Sequence, residues 1–336
     1  MKVMQLLQCA LLSDVPEPLS YRDAPEPEPG PGEVLLRVSA CGVCHTELDE
    51  IEGRLRPPRL PIIPGHQVVG HIAATGPGVT QLRLGDRVGV GWIWRSTGGA
   101  QENLSDQFVA TGLDVDGGYA EYMTVPEDYA CALPALFSDV EVAPLLCAGA
   151  VGYRALRLCG LRDGDPLGLT GFGASAHLVL QMARHRLPHS AIHVFARDPE
   201  QREFARSLGA AWTGDTGDRA PEPLAAILDT TPAWKPVVEA MSNLRPGGRL
   251  VINAIRKQGE DQNELMRLRY HEHLWMEREI KTVANVTRAD LCEALALAAA
   301  ASLRPAVTTY PLRDANRALR ELSTGHIRGA KVLVIG

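Results

Sequence analysis

Residues 166–185 read PLGLTGFGASAHLVLQMARH, and this stretch decides how the second half of the chain folds. A short apolar run leads into a turn that contains Gly171, Gly173 and Ala176, and a helical pattern follows at once. The G-x-G-x-x-A spacing between a strand and a helix is the fingerprint of a dinucleotide-binding unit. The glycines permit a tight turn and close approach of a pyrophosphate, which then faces the helix N-terminus. We predict a dinucleotide site here; for the motif taken alone, a tight turn without a ligand is the alternative.

The same alternation of strand and helix continues beyond this turn. From near Ala143 onward, helical stretches alternate with short apolar runs, which predicts βαβ units and a parallel sheet. The predicted strands are PLGLT, AIHVFA, AAILDTT, GRLVINAI and EIKTVANV. A helix N-cap is predicted at Thr287, because Asp290 follows three residues later. The closing segment AKVLVIG reads as one more strand.

The residue that ends the second strand bears on which nicotinamide cofactor binds. An acidic residue there binds the ribose 2′-hydroxyl of NAD, whereas an arginine accommodates the 2′-phosphate of NADP. Ala196 ends the run AIHVFA and Arg197 follows it, which favours NADP over NAD. The alternatives are that Arg197 is a solvated loop residue and that Asp198 reaches a ribose hydroxyl.

The first 150 residues have a different pattern. Short runs that read as strands are broken by turn residues such as PEPEPGPGE at 25–33, which predicts a barrel or sandwich with long loops. The predicted strands are VLLRVSA, VVGHIAATG, DRVGVGW and AEYMTV.

Composition limits the class of protein. With 336 residues and 45% apolar residues, the chain is long enough for two domains with full cores. A net charge of −6 without a long single-sign run argues against nucleic acid or a membrane surface as a partner. The N-terminus does not read as a signal peptide, and seven scattered cysteines do not form a disulfide framework. We therefore expect a cytoplasmic protein with reduced thiols.

Soft metal donors lie in two distant parts of the chain. Cys44 and His66 fall within residues 41–70, and Cys147 follows far downstream in APLLCAG. Three protein ligands would leave a fourth zinc position open, as in catalytic sites. A Lewis-acidic metal together with a nicotinamide implies oxidation of an alcohol or reduction of a carbonyl. The remaining cysteines are interpreted as scaffold or buried apolar residues, and they are Cys9, Cys41, Cys131, Cys159 and Cys292.

Taken together, these segments resemble the zinc-dependent alcohol dehydrogenases of the medium-chain dehydrogenase/reductase superfamily. The matching segments are CGVCHTEL, PGHQVVG, GDRVGVGW, DGGYAEY, APLLCAG and GFGASA. The resemblance implies an α/β protein with a β-rich second domain. Residues 1–150 and 287–336 would form a GroES-like catalytic domain, and residues 151–286 a Rossmann domain with a doubly wound parallel sheet.

The resemblance also implies roles for individual residues. Cys44, His66 and Cys147 resemble the family's Cys₂His zinc ligands. Thr46 falls where the family places a hydroxyl that binds the substrate oxygen and starts the proton's route to solvent. Glu47 resembles the acidic residue that orients the histidine ligand.

A further role concerns the cofactor. Arg328, in GHIRGAK, falls where the family has a basic residue that reaches the cofactor phosphates; a solvent-facing turn arginine is the alternative. The resemblance also implies a homodimer or homotetramer.

The chain departs from the family pattern at three places. Many relatives hold a second zinc with four cysteines in a lobe after GDRVGVGW, but residues 95–110 contain no cysteine, so one zinc is expected and the lobe should be smaller or mobile. Gln67 stands where most relatives have glutamate, which leaves the metal more electrophilic. Asp49 stands where several relatives place a proton-relaying histidine, and a carboxylate is a poor relay near neutral pH. We hypothesise that the proton passes from Thr46 directly to solvent or to the ribose.

The predicted function is therefore an NAD(P)-dependent alcohol dehydrogenase acting on small primary or aromatic alcohols and their aldehydes. A zinc-free quinone or enoyl reductase of the same superfamily is one alternative, and a non-catalytic cofactor-binding relative is another. Trp92, Trp94 and Tyr119 could line a substrate pocket, although aromatic residues near strand ends more often belong to the core.

Overall fold

A computed structural model describes residues 1–325 and 328–336 of the chain. Contacts divide it into two compact units. The first consists of Met1–Ala150 together with Val286–Gly336, and the second is Val151–Asn285. After the roles that the sequence resemblance implies, we call them the catalytic unit and the nucleotide unit.

The described part of the chain contains seventeen strands and eight α-helices, besides six short 3₁₀ or π turns. The strands are β1 (Lys2–Leu6), β2 (Leu19–Asp23), β3 (Glu33–Val43), β4 (Val68–Thr75), β5 (Arg87–Val90), β6 (Ile93–Arg95), β7 (Val109–Ala110), β8 (Tyr122–Pro126), β9 (Cys131–Ala132), β10 (Leu167–Thr170), β11 (Ile192–Phe195), β12 (Trp212–Gly214), β13 (Leu224–Asp229), β14 (Leu244–Ile252), β15 (Glu279–Thr282), β16 (Val307–Pro311) and β17 (Ala330–Val334). The helices are α1 (His45–Ile51), α2 (Asp139–Val142), α3 (Ala148–Cys159), α4 (Ala174–Arg186), α5 (Pro199–Ser207), α6 (Lys235–Met241), α7 (Arg288–Ala300) and α8 (Ala315–Ser323).

The catalytic unit is built around a mixed seven-stranded sheet. Its strands lie in the order β16-β17-β3-β4-β5-β9, and β8 pairs with β3 beside this path. The C-terminal strand β17 runs antiparallel to β3, with Leu333 opposite Cys41, so the end of the chain completes the sheet that its beginning starts. Residues from every part of the unit, including Val3, Leu36 and Leu319, share one buried core. The four strands predicted in the first part of the chain are confirmed as β3, β4, β5 and β8.

The nucleotide unit contains the predicted parallel sheet. Its strands lie in the order β12-β11-β10-β13-β14-β15, and all pair in parallel. Counted from its own first strand, this order is 3-2-1-4-5-6, the order of a doubly wound dinucleotide-binding fold. β10, β11 and β13 are buried along their whole length, as expected of a parallel sheet with covered faces. The prediction of a Rossmann-type α/β unit beside a β-rich one is confirmed.

Two details of the nucleotide unit differ from the sequence prediction. The strand β12 is not among the predicted strands, because three residues are too short to give a periodic signal. The run EIKTVANV is predicted as an apolar strand, yet all four residues of β15 are exposed. The reason is that β15 is the outermost strand of the sheet, and the buried valines of this run, Val283 and Val286, lie after the strand ends.

The predicted N-cap of α7 is confirmed. The hydroxyl of Thr287 accepts the backbone N–H of Asp290 at 3.0 Å, and the Asp290 carboxylate accepts the backbone N–H of Thr287 at 3.0 Å. This capping box satisfies two donors that the helix leaves without an internal partner.

Among the described residues, no single helix has the length and apolar character needed to cross a membrane; only the bent pair Asp139–Leu146 and Ala148–Cys159 meets those criteria when taken together.

Candidate functional site

Three soft donors meet in the catalytic unit. One ligand atom each from Cys44, His66 and Cys147 lies within 4.8 Å of the other two. The structure thus brings together the three residues that the sequence singles out as metal donors, although 103 residues separate the first from the last.

Strand pairing explains how the first two donors meet. In the antiparallel pair β3–β4, Cys41 lies opposite Val68, and the backbone N–H of Gly42 donates to the carbonyl of Gln67 at 2.9 Å. This register places the end of β3 beside the start of β4. Cys44, just after β3, and His66, just before β4, therefore lie next to each other. The site therefore depends on a register that a one-residue slip would destroy.

A glycine before the histidine is required by the geometry. Gly65 has φ of +99°, and a Cβ atom at this position would lie 2.3 Å from the ring of Tyr119. Only glycine fits both the backbone conformation and the space, so this turn fixes the direction from which His66 enters the site.

The third donor is supplied by the chain just before the long helix α3. A 3₁₀ turn, Ala143–Leu146, ends at Cys147, and all four of its residues are buried. A Cβ atom on Gly89 would lie 2.6 Å from the side chain of Leu146, and a Cβ atom on Gly91 would lie 3.0 Å from the Leu146 carbonyl. The glycines of β5 and the turn after it thus allow this segment to pack closely against the sheet.

A buried carboxylate orients the histidine. Oε1 of Glu47 lies 2.6 Å from Nδ1 of His66, and Oε2 of Glu47 accepts the backbone N–H of Cys44 at 2.7 Å. Both side chains are almost fully buried. Since Nδ1 faces the Glu47 carboxylate, Nε2 is the nitrogen left for a ligand. Carboxylate–histidine pairs of this kind fix the tautomer of metal-binding histidines.

The two thiols and the imidazole of the cluster shift one another's pKa values. A hydrogen bond from Cys147 lowers the pKa of the Cys44 thiol well below its usual value, although burial opposes the charge. The same hydrogen bond, together with burial, raises the pKa of Cys147. Burial disfavours a charged His66, but the Glu47 carboxylate and the nearby Cys44 sulfur outweigh it and raise the pKa of the imidazole. Because zinc binds thiolates and a neutral imidazole, cation binding would release the protons that these three groups hold.

Two thiols and one imidazole nitrogen that lie within 4.8 Å of one another fit a zinc ion of the catalytic type. This donor set leaves a fourth position for water or substrate. Tetrahedral sites of soft sulfur and nitrogen ligands favour zinc over magnesium or calcium.

The helix α1 carries two further predicted residues. Oγ1 of Thr46 lies 3.6 Å from Sγ of Cys44, and Thr46 is buried. The carboxylate of Asp49, in contrast, accepts a hydrogen bond from Nε of Arg54 at 2.5 Å. Asp49 therefore belongs to an ion pair, whereas Thr46 lies against the donor cluster.

Two other side chains surround the cluster. Gln67 is buried and packs over Gly42, where an added Cβ would lie 2.5 Å from its Oε1. The ring of Trp92 is half-buried, with its centroid 6.1 Å from that of His66. Of the three aromatic residues considered for a pocket, Trp94 and Tyr119 are buried in the core, and Trp92 is half-buried beside His66.

The glycine-rich turn lies in the nucleotide unit as predicted. Gly171 has φ of +75° and follows β10 directly, Gly173 precedes the first residue of α4, and Ala176 is fully buried in that helix. A Cβ on Gly171 would lie 2.9 Å from Cγ2 of Thr231, which explains the need for glycine at this position. The turn stands at the switch point of the strand order, between β10 and β13, where such sheets bind their ligands.

The end of β11 has three polar residues. Arg197 is exposed, whereas Asp198 caps α5 by accepting the backbone N–H of Glu200 at 2.9 Å. Nη1 of Arg202 donates to the carbonyl of Ala196 at 2.7 Å. Arg202 is not among the residues predicted from the sequence; its position six residues after Ala196, in the helix α5, was the available signal. Arg328 is exposed and directly precedes Gly329, which has φ of +76°.

The cysteine-free lobe at residues 95–110 is organised by a buried carboxylate. Oε2 of Glu102 accepts the backbone N–H of Gly98 at 3.0 Å and the hydroxyl of Tyr129 at 3.0 Å. Its Oε1 accepts the backbone N–H of Arg288 at 2.6 Å. Sequence reasoning gives no indication of this role, since a glutamate in a polar loop reads as a solvated residue.

Comparison with known proteins yields consistent matches. Residues 30–135 match the alcohol dehydrogenase GroES-like domain, and residues 198–334 match a zinc-binding dehydrogenase domain. A probable alcohol dehydrogenase of Mycobacterium tuberculosis is 42% identical over 320 residues, which cover 92% of this chain and 90% of that protein. An alcohol dehydrogenase of Geobacillus stearothermophilus is 32% identical, covering 97% of this chain and 98% of its own length.

Solved structures agree with the fold. A thermostable alcohol dehydrogenase from Pyrobaculum aerophilum superimposes with a TM-score of 0.85 at 25% identity, and the match covers 99% of each chain.

Proposed function

Because the chain belongs to the alcohol dehydrogenase family that joins a GroES-like domain to a zinc-binding dehydrogenase domain, we propose that it is a zinc-dependent enzyme with NADP as its preferred cofactor. Its substrates would be small primary or aromatic alcohols and their aldehydes. The observation that carries the proposal is the meeting of Cys44, His66 and Cys147 within 4.8 Å in the catalytic unit.

The ligand residues are proposed as Cys44, His66 and Cys147. When bound there, zinc supplies a Lewis acid that lowers the pKa of an alcohol oxygen. Two thiolates and a neutral imidazole would make the site neutral overall. Glu47 holds Nδ1 of His66 and thereby directs Nε2 toward the ligand position. Gln67 contributes no charge to this environment.

The proton is proposed to leave through Thr46. A threonine hydroxyl both accepts and donates hydrogen bonds, so it can take the alcohol proton while passing on its own. Asp49 is held by Arg54, which supports the proposal that the route runs from Thr46 to solvent or ribose and bypasses Asp49. In the balanced reaction, the alcohol loses this proton and a hydride, and the aldehyde and the reduced nicotinamide are formed.

The dinucleotide is proposed to bind with its pyrophosphate at the turn of Gly171 and Gly173, before α4. Ala176 allows the helix to approach β10 closely enough for its N-terminus to face the anion. An exposed Arg197 at the end of β11 supports binding of a ribose 2′-phosphate, and hence NADP over NAD. Arg328 is proposed to contact the cofactor phosphates.

Substrate choice is proposed to involve Trp92. Its half-buried ring beside His66 offers an apolar, aromatic face near the ligand position. This supports small alcohols that include aromatic ones such as benzyl alcohol.

We further propose that residues 1–150 and 287–336 act as the catalytic domain and residues 151–286 as the nucleotide-binding domain. A cytoplasmic homodimer or homotetramer is part of the same proposal. Light scattering during size-exclusion chromatography would determine the number of copies in solution.

Metal analysis and kinetics test the central proposal. The purified protein should contain one zinc per chain and should reduce NADP with ethanol, propanol or benzyl alcohol as donor. Cys44→Ala and Cys147→Ala should lose both zinc and turnover, whereas the matched control Cys9→Ala should retain both. Glu47→Gln should weaken zinc binding by roughly 10- to 100-fold. Turnover that survives Cys44→Ala, or folded protein without zinc, would contradict the proposal.

A further inference from the structure

Two cysteines outside the donor cluster form a pair of their own. Sγ of Cys131 lies 3.1 Å from Sγ of Cys292, although 161 residues separate them in the chain. Cys131 begins β9, and Cys292 lies in the first half of α7, so both belong to the catalytic unit. A disulfide bond requires a sulfur–sulfur distance of about 2.05 Å. The sulfurs thus need to approach by only about 1 Å to become bonded.

The two thiols differ in accessibility and in charge. Cys131 is 5% exposed, whereas Cys292 is exposed to solvent. A hydrogen bond from Cys131, helped by the Arg288 guanidinium against partial burial, lowers the pKa of Cys292 to about 7. The same hydrogen bond and burial raise the pKa of Cys131. An accessible thiolate beside a buried thiol is the arrangement of a reactive cysteine and its resolving partner.

Both cysteines lie on elements that support the segment ahead of Cys147. Cys131 pairs with Gly89 of β5, against which the side chain of Leu146 packs. Next to Cys292 in the helix, Leu291 lies close to Gly91, whose neighbour is the carbonyl of Leu146. A covalent bond between β9 and α7 would therefore tie together the two sides of the framework that holds this segment.

We propose that Cys131 and Cys292 are a modification site that forms a reversible disulfide by exchange with a small-molecule disulfide such as oxidised glutathione. The Cys292 thiolate attacks one sulfur of glutathione disulfide, forming a mixed disulfide and releasing one glutathione thiolate. Cys131 then loses its proton to solvent and attacks the Cys292 sulfur, which releases the second glutathione thiolate. Two protein thiols are oxidised and one glutathione disulfide is reduced.

Comparison with the other cysteines outside the donor cluster shows why Cys131 and Cys292 are the candidates for a disulfide. Cys9, Cys41 and Cys159 are free, and in the part of the chain that the structure describes none of them lies in a comparable sulfur–sulfur contact. Cys9, which is partly exposed, donates instead to the carbonyl of Glu50 at 3.4 Å and is a matched control. The inference is independent of the proposed zinc function.

The experiment uses the full-length, zinc-loaded protein. It is incubated with oxidised glutathione at neutral pH, its remaining thiols are alkylated under denaturing conditions, and intact mass and peptide maps are recorded. We expect one cross-link that joins the peptides of Cys131 and Cys292, five alkylated thiols of the seven, and full reversal by dithiothreitol. Cys292 should react roughly fivefold faster than an unperturbed thiol, since its larger thiolate fraction outweighs its weaker nucleophilicity.

Three variants make the outcome decisive. Cys131→Ala should stop at a glutathione adduct on Cys292, and Cys292→Ser should give neither the cross-link nor an adduct on Cys131. Cys9→Ser should form the cross-link at the wild-type rate. Complete alkylation of both cysteines in the wild type would overturn the proposal, and so would the absence of an adduct in Cys131→Ala. Peptide maps also reveal any pairing of Cys44 with Cys147, so failure of the zinc proposal is recognised separately.

Discussion

The carboxylate of Glu102 accepts the backbone N–H of Arg288 at 2.6 Å, across 186 residues of sequence. Together with its bonds from Gly98 and Tyr129, this contact makes one buried side chain the anchor of the lobe at residues 95–110. The lobe itself contains no cysteine. A carboxylate that accepts several hydrogen bonds therefore organises it.

We expect Glu102→Ala to lower the free energy of unfolding of the catalytic unit by about 3 kcal/mol, because buried donors lose a charged acceptor. Denaturant unfolding and hydrogen exchange of the lobe amides would measure the loss. The exposed neighbour Gln101 is the control, and Gln101→Ala should change stability by less than about 0.5 kcal/mol. Equal stability of Glu102→Ala and Gln101→Ala would show that the hydrogen bonds of Glu102 do not stabilise the catalytic unit.

This anchor illustrates where sequence reasoning ends. Short motifs such as GFGASA and the donors Cys44, His66 and Cys147 are recognisable because each residue type is required by local geometry or by metal chemistry. Glu102 and the Cys131–Cys292 pair carry no such local signal. Arg288 lies 186 residues from Glu102 and the two cysteines lie 161 residues apart, so these contacts form only when the chain has folded. The exposure of β15 was likewise not predictable, because it depends on the strand's place at the sheet edge.

A second prediction concerns acid stability. His177 is fully buried in α4, and burial, against hydrogen bonds to Gly173 and Ala174, lowers its pKa to about 4. In the unfolded chain His177 binds a proton near pH 6.5, whereas in the folded chain it binds one only near pH 4. Proton uptake by the unfolded chain therefore has no effect on stability above pH 6.5. As the pH falls toward 4, it lowers the free energy of unfolding by up to about 3 kcal/mol.

Unfolding free energies of the wild type and of His177→Leu, measured from pH 7.5 to 4, would test this. The variant should lose much less stability over that range than the wild type does. His185→Leu, at an exposed position of the same helix, should keep the wild-type slope. If the unfolding free energy of His177→Leu depends on pH as steeply as that of the wild type, His177 is not the group responsible.

A third prediction concerns an ion pair beneath the glycine-rich turn. Asp229 and Lys257 form a buried pair, and the Asp229 carboxylate also accepts the hydroxyls of Thr170 at 2.6 Å and Thr231 at 2.7 Å. Nζ of Lys257 donates to the carbonyl of Thr231 at 2.8 Å. Because Thr231 packs against Gly171, this network holds the loop that borders the dinucleotide turn.

Lys257→Met should destabilise the nucleotide unit by about 3–5 kcal/mol, since it leaves a buried carboxylate without its cation. It should also raise the KM for the cofactor. Lys235, whose side chain is 54% exposed and 3.7 Å from Glu239, is the matched control, and Lys235→Met should have little effect on either quantity. Cofactor titration and thermal unfolding of both variants would check this.

A fourth prediction separates the two polar residues of α1. Thr46 lies against Cys44, whereas Asp49 is paired with Arg54. Thr46→Val should lower kcat by roughly 10²- to 10⁴-fold because it removes the proton acceptor, and Thr46→Ser should largely restore it. Asp49→Ala should leave the rate near neutral pH within a few-fold, and a hundredfold loss would show that the direct relay is wrong.

The last prediction concerns cofactor choice at the end of β11. Arg197 is exposed, whereas one carboxylate oxygen of Asp198 caps α5, and we expect the arginine to meet the ribose substituent. Arg197→Ala should lower the ratio of kcat/KM for NADP over NAD by roughly 10- to 100-fold, the worth of one charge-assisted contact to phosphate. Asp198→Ala should cost about 1 kcal/mol of stability through the lost cap and leave this ratio unchanged. Arg206, an exposed arginine of the same helix that pairs with Glu203, is the control for nonspecific charge effects, because Arg206→Ala removes the same charge without touching the strand end. If Asp198→Ala changes the NADP-to-NAD ratio of kcat/KM and Arg197→Ala does not, the preference for NADP inferred from the arginine is wrong.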